Sequence, residues 1–248
     1  MSFMQGPGTN SLLLALIVCG AGAAGATCTG PQAMVAKLHS EPKTENAIAL
    51  GSWFASNKQF DCAIETFREA QTLDPQSPQL HYLEGLALAG SGRVQSAIAP
   101  LQDAVRLQPD VIPPHLLLAT LYEKSGLHEQ ADEQWKQALA VDPQSEAALE
   151  TFSSAMLARK DYIDVIGLLH HAPRTEALTL RLATALQALN YLDGANDVLL
   201  EAMSVAPDSL PLANAEAAVL IRKRSYLEAL KLLGYMATRH PDDRGAQL

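Results

Sequence analysis

Several short stretches of this 248-residue chain hold residue types that could do chemistry. Gly20-Ala-Gly22-Ala-Ala-Gly25 spells G-x-G-x-x-G just after the apolar run Leu12 to Val18. A dinucleotide site needs the third glycine to open a helix whose amides hold a pyrophosphate. Gly30-Pro31 follows too soon for such a helix, and no alternation of strands and helices comes after it. His128-Glu129 begins a zinc-binding H-E-x-x-H pattern, but Asp132 stands where the second histidine should be. That pattern works only with two imidazoles on one helix face. His170-His171 is a pair of neighbours, and neighbours on a helix point roughly 100° apart, so one ion does not suit both. They read better as cations at the C-terminal end of a helix. Cys62 has no histidine near it in sequence and reads as a small helix residue, not a nucleophile. No P-loop, G-x-S-x-G or kinase signature is present. The residues point to no enzyme, no catalytic residue, no metal and no cofactor.

Charge narrows the partners. Asp and Glu number 27 against 18 Lys and Arg, a formal net charge of −9. Affinity for phosphate backbones rests on Lys and Arg, so nucleic acid is not expected as a ligand. The one basic run, Arg222-Lys223-Arg224, reads as a solvated turn. Hydrophobic residues make up 48%, enough to exclude bulk disorder, while aromatics are only 5%. That balance favours helices packed through small side chains over an aromatic-rich sandwich or barrel. Three cysteines, with Cys19 and Cys28 in the N-terminal stretch, suggest no disulfide framework.

Residues 1–36 carry no charge. The run Leu12 to Val18 is short for a membrane span, which needs about 20 residues. It fits the apolar region of a secretory signal, with Ala24-Gly25-Ala26 offering small residues for cleavage before Thr27. The basic start usual in such signals is missing, since the first lysine is Lys37. Residues 1–26 are expected to be a signal peptide or an uncleaved anchor, and 27–43 a linker. A periplasmic or extracellular bacterial protein is expected, with a membrane-anchored or cytoplasmic one as alternatives. Neither Cys19, after Val18, nor Cys28, after Thr27, has a good lipoprotein context.

The remaining chain is periodic. Leu73-Asp-Pro75, Leu107-Gln-Pro109, Val141-Asp-Pro143, Val205-Ala-Pro207 and Arg239-His-Pro241 recur, and the first three prolines lie 34 residues apart. With the proline numbered 32, position 8 holds Gly51, Gly85, Ala119, Ser153, Ala183 and Ala217. Position 20 holds Ala63, Ala97, Ala131, Val165, Ala195 and Ala229, and position 24 holds Phe67, Leu101, Trp135, Leu169, Leu199 and Leu233. Position 27 is Ala in all but the last, Met236. Small residues at 8 and 20 let two helices approach, and large ones at 24 fill the space between neighbours.

This pattern resembles the tetratricopeptide repeat family over residues 44–243, as 44–77, 78–111, 112–145, 146–175, 176–209 and 210–243. The resemblance implies an all-α, right-handed α-solenoid of six helix-turn-helix repeats, each with a first helix A and a second helix B, then a tail at 244–248. In the third repeat, helix A is expected over Ile112 to Ser125 and helix B over His128 to Val141. Gly92 and Gly126 suit the A–B turns. The fourth repeat has 30 residues and an early Pro173, which predicts a shorter helix B.

In the family, ligands lie on a concave groove lined by helix A. Carried over, that lining includes Ile48, Ser52, Tyr82, Leu86, Leu116, Thr120, Glu123, Glu150, Leu180, Thr184 and Asn214. The Lys and Asn residues with which some members clamp a chaperone's C-terminal carboxylate are replaced here by Ile48, Ser52, Leu83, Pro113 and Leu117. The resemblance therefore implies a non-enzymatic scaffold holding a protein or peptide ligand, an apolar helix or extended segment, in the groove. Membrane contact is expected only through an uncleaved N-terminal segment. The alternative is a substrate-recruiting arm of a larger enzyme or envelope assembly. Too little chain follows the sixth repeat for a capping helix, so Leu230, Leu233 and Met236 are expected to face water, in a truncated chain or against a partner.

Overall fold

The computed structural model describes residues 28–240. The leader at 1–26 and the tail at 244–248 lie outside the described residues. Among those described, the chain is all helix and turn, without strands. None of these helices is long and apolar enough to cross a membrane. The helices fall in two compact bodies, one through Pro109 and one from Asp110.

The N-terminal body holds α1 (Gln32–Ser40), α2 (Thr44–Ser56), α3 (Phe60–Leu73), α4 (Pro78–Gly90) and α5 (Val94–Leu107). Its core stacks Leu50 and Phe54 of α2, Ala63 and Phe67 of α3, Leu80 and Leu88 of α4, and Ala97 and Leu101 of α5. Gly51 sits under the Phe67 ring, and a Cβ on Gly85 would come within 2.5 Å of Leu101 Cγ. These two glycines are what lets helix A and helix B touch. Ser77 caps α4 by accepting from the Leu80 amide at 3.4 Å, and Pro78 at the first helical position needs no partner for a missing N–H.

The C-terminal body holds α6 (Ile112–Lys124), α7 (His128–Val141), α8 (Glu146–Arg159), α9 (Tyr162–Leu169), α10 (Glu176–Ala188), α11 (Leu192–Val205), α12 (Leu210–Arg222) and α13 (Tyr226–Arg239). Ala119 and Ala131 are both fully buried at the close approach of α6 and α7. Trp135 fills the space beyond them, stacked on Phe152 at 5.1 Å between ring centres. Helix α9 is only eight residues long against fourteen in α7, α11 and α13. It keeps Val165 and Leu169 fully buried, so the shortening removes length without turning its apolar face away.

Every A–B turn places one residue in the left-handed backbone region, at position 15 of its repeat: Lys58, Gly92, Gly126, Lys160, Asn190 and Arg224. Glycine takes that conformation without steric cost, while the Lys and Arg residues hold it against a penalty of roughly 1 kcal/mol each. The turn geometry is set by helix packing on either side, which is why it persists where glycine is absent.

Several expectations need correction. Residues 32–40, expected in a linker, form helix α1. Cys62, expected as a plain helix residue, is bonded to Cys28, which is 34 residues earlier. A sequence pattern that counts cysteines cannot see that the chain folds back over one repeat length. Met236 is fully buried, although Leu230 is 66% exposed. Met236 turns inward because it lies seven residues after the buried Ala229, on the same stripe of α13, and about 120° around the helix from Leu230. The carbonyls at the end of α9 are capped not by the histidines but by Arg174, which donates to Leu169 O at 3.1 Å and His170 O at 3.2 Å. The basic run is not merely solvated: Arg222 donates to Gln187 O at 2.6 Å and Asn190 Oδ1 at 3.1 Å, and Lys223 pairs with Asp193 at 2.8 Å.

Candidate functional site

In the N-terminal body, α2 carries Ile48 and Ser52 and α4 carries Tyr82 and Leu86, each pair four residues apart and so on one helix stripe. The opposite stripes go to the core, through Leu50 and Phe54 on α2 and Leu80 and Ala87 on α4. Ile48, Ser52 and Tyr82 are half-buried and Leu86 is exposed. Partial burial pushes the Tyr82 phenol above its ordinary range, so it stays a neutral donor at physiological pH.

In the C-terminal body, α6 carries Leu116, Thr120 and Glu123, α8 carries Glu150, α10 carries Leu180 and Thr184, and α12 carries Asn214. None of these seven is buried. Thr120, Glu123 and Glu150 meet around a depression of about 400 Å³ whose floor includes Trp135. Leu180 and Thr184 line a second one, of about 550 Å³, with Glu146 and Glu176. Leu116 and Asn214 lie outside both depressions. The Thr120 hydroxyl donates to Leu116 O at 2.8 Å and that of Thr184 to Leu180 O at 2.7 Å. Those protons are therefore committed to their own helices, which leaves the hydroxyl oxygens to act as acceptors.

Arg181 is the residue that the sequence reading missed. It lines both depressions, at position 6 of its repeat. Its Nη1 donates to Ala177 O at 3.0 Å, which fixes the guanidinium along the helix. Position 6 holds Leu83 and Leu117 in the second and third repeats, so the repeat pattern carries no sign of a cation at this place. The depressions thus mix cations, Lys124 and Arg181, with the carboxylates Glu123, Glu146, Glu150 and Glu176. Glu123 is partly committed: it takes His128 Nδ1 at 3.0 Å and lies 3.6 Å from Arg159. Arg159 also pairs with Asp132 at 2.8 Å and Asp161 at 3.2 Å, so two acids of the third repeat converge on one arginine from the fourth. His170 and His171 have their rings edge to face at 4.5 Å, and among the described residues no group of three or more His, Cys, Asp or Glu is placed to hold a metal.

The comparisons agree with this architecture. A family model for the tetratricopeptide repeat matches residues 113–145. The DnaJ homolog subfamily C member 7 homolog of Dictyostelium discoideum is 26% identical over 160 residues, 61% of this chain and 29% of that protein. The peroxisomal targeting signal receptor of Kluyveromyces lactis is 26% identical over 145 residues, 53% of this chain and 26% of the receptor. The chain therefore spans less than a third of the length of these relatives. Among solved structures, a tetratricopeptide repeat protein from Parabacteroides merdae superposes with a TM-score of 0.59 at 18% identity, covering 79% of both chains. YrrB, described as a TPR protein with an unusual peptide-binding site, gives 0.57 at 13% identity, covering 74% of this chain and 97% of YrrB. Helices that pair repeatedly, small residues where the pairs touch, and a match to the repeat itself lead to one architecture: residues 113–145 match the tetratricopeptide repeat, and the fold is that of a tetratricopeptide-repeat solenoid.

Proposed function

We propose that the chain is a non-enzymatic scaffold that holds a protein or peptide segment against the exposed stripes of its A helices. The observation that carries this reading is the division of labour on those helices. Leu50, Leu80, Leu118, Phe152, Leu182 and Leu212 are buried, while the eleven residues of the expected groove are not. Side chains without a packing role, apolar or neutral at most places, are available to a ligand. YrrB, with its peptide-binding site, is the neighbour whose description points the same way. We also place the protein outside the cytoplasm, on the uncharged N-terminal stretch with its small-residue cleavage motif and on the Cys28–Cys62 bond, since disulfides persist in oxidising compartments.

The test uses a random-sequence peptide library displayed on phage, followed by calorimetric titration of a selected peptide. Tyr82→Ala with Leu116→Ala should weaken binding at least about tenfold, or 1.4 kcal/mol, with the helical circular dichroism unchanged. Gln102→Ala with Gln137→Ala, on helix B, should leave the affinity within about twofold. A larger loss from the helix B pair would move the ligand off the A helices.

A further inference from the structure

Helix α1 is poorly equipped to stay in place by itself. It has nine residues, and Leu38 is the one that it buries. It has no side-chain N-cap, and a helix of this length is marginal in water. Yet the segment leading into it does structural work. Gly30 lies against the Phe54 ring and Leu50, close enough that an added Cβ would sit 3.0 Å from Phe54 Cζ and 3.2 Å from Leu50 Cδ1. Leu50 and Phe54 are the core of the first repeat, and α1 also packs along α2. Among the described residues no helix B precedes the first repeat, and residues 28–40 stand in for one.

Three anchors hold this segment. At its end, Asn46 Nδ2 donates to Glu41 O at 2.8 Å. At its start, Cys28 is bonded to Cys62, which is 4% exposed on α3. Next to that bond, Gln59 Nε2 reaches Thr29 O at 3.5 Å. The polar anchors are solvent-exposed and individually weak. The covalent one is different in kind, because it fixes the far end of a segment that the main chain tethers only at its C-terminal end, and so removes most of the conformational freedom that undocking would release.

We propose that residues 28–40 are an N-terminal cap of the repeat array, and that the Cys28–Cys62 disulfide is the redox-dependent staple that keeps it closed. The staple forms by thiol–disulfide exchange with an oxidised dithiol carrier. A thiolate of the pair attacks a carrier sulfur, forming a mixed disulfide and releasing the other carrier sulfur as thiolate. The second cysteine thiolate then attacks the protein sulfur of that mixed disulfide. The Cys28–Cys62 bond forms, and the carrier leaves with both electrons as a dithiol, taking up the two protons that the cysteines lost. Reduction by an excess of small dithiol runs the same exchange backwards. The same sulfur cannot carry a thioether, so a stapled Cys28 is not a lipidation site. None of this rests on the ligand-binding reading, and no ligand enters the test.

The full chain is produced in an oxidising compartment and alkylated with iodoacetamide under denaturing conditions, with and without prior reduction. Expected are no carbamidomethyl groups on Cys28 and Cys62 before reduction and one on each after it. Amide hydrogen exchange of the native protein should then show residues 28–43 exchanging at least about tenfold faster after reduction. The helices from α6 onward should not change. Cys28→Ser should reproduce that acceleration without reductant and keep the helical circular dichroism, because α2 to α13 retain their own contacts. Cys28 and Cys62 both alkylated before reduction, or exchange over 28–43 unaltered within twofold by reduction and by Cys28→Ser, would overturn the proposal.

Discussion

Glu84 and Glu216 show how far a single residue's fate depends on its neighbours. Both occupy position 7 of a repeat, where the others have Leu50, Leu118, Phe152 and Leu182, and both are buried. Glu84 accepts from Arg68 Nε at 2.7 Å and from Gln71 Nε2 at 2.9 Å. The residues at the same offsets before Glu216 are Leu200 and Met203, and Glu216 Oε2 has no hydrogen-bond partner. Burial therefore pushes the Glu216 carboxyl up to about 7, with Asp197 and Glu228 adding to the rise and Lys223 opposing it. The unfolded chain releases this proton near pH 4.5, the folded chain only near 7. Stability is then greatest below pH 4.5, falls as the pH climbs to about 7, and stays low above it, as far as this group decides. Glu216→Leu should raise the melting temperature at pH 8 more than at pH 5, by removing a buried polar group that costs about 1–3 kcal/mol. Glu216→Gln should flatten the same pH profile. Equal gains from Glu216→Leu at both pH values would show that the carboxylate is satisfied in solution. The repeat pattern gave no hint of this residue. It follows the small residues at 8 and 20, and whether an acid at position 7 is paired depends on the preceding helix B.

At the scale of helices the sequence was far more legible, for a physical reason. Where two backbones touch, only Gly, Ala, Ser or Val fits, so positions 8 and 20 record the packing directly in residue size. Helix A of the third repeat was expected over Ile112 to Ser125 and is Ile112–Lys124; helix B was expected over His128 to Val141 and spans those residues. What escaped was helix α1, whose one buried side chain leaves almost no apolar periodicity, and whose anchor is a covalent bond between distant residues. The turn conformation at Lys58, Lys160 and Arg224 escaped too, since these residue types do not advertise a left-handed backbone. The packing argument is open to test. Ala131 is fully buried against α6, while Ala140, on the same helix α7, is exposed. Ala131→Leu should overpack the contact and cost about 1–3 kcal/mol, whereas Ala140→Leu should stay within about 0.5 kcal/mol. Urea unfolding followed by circular dichroism would register this as a lower midpoint for Ala131→Leu alone. Equal midpoints would mean that the helices approach each other somewhere other than position 20.

For the molecule as a whole, charge decides more than any one site. A net charge of −9 sets up a field that repels polyphosphate and favours ligands that are neutral or basic. A local cluster can override such a field, and the candidate here is Arg222-Lys223-Arg224. Two of its three cations are already committed, Arg222 to Gln187 and Asn190 and Lys223 to the Asp193 carboxylate. Binding phosphate there would break that ion pair at Lys223 and still leave the net charge against it. The mixed lining of the A-helix depressions, with Glu146, Glu150 and Glu176 around Arg181, is no better suited to a polyanion. A fluorescent 20-base-pair DNA duplex titrated with the protein at 50 mM and 150 mM salt should therefore show no saturable change in anisotropy up to about 100 µM, the weak end of the usual range of non-specific DNA affinity. Saturable binding that weakens steeply between the two salt concentrations would reveal a basic surface that these ion pairs do not neutralise. Loss of that binding in Arg222→Ala would then locate it on the last A–B turn.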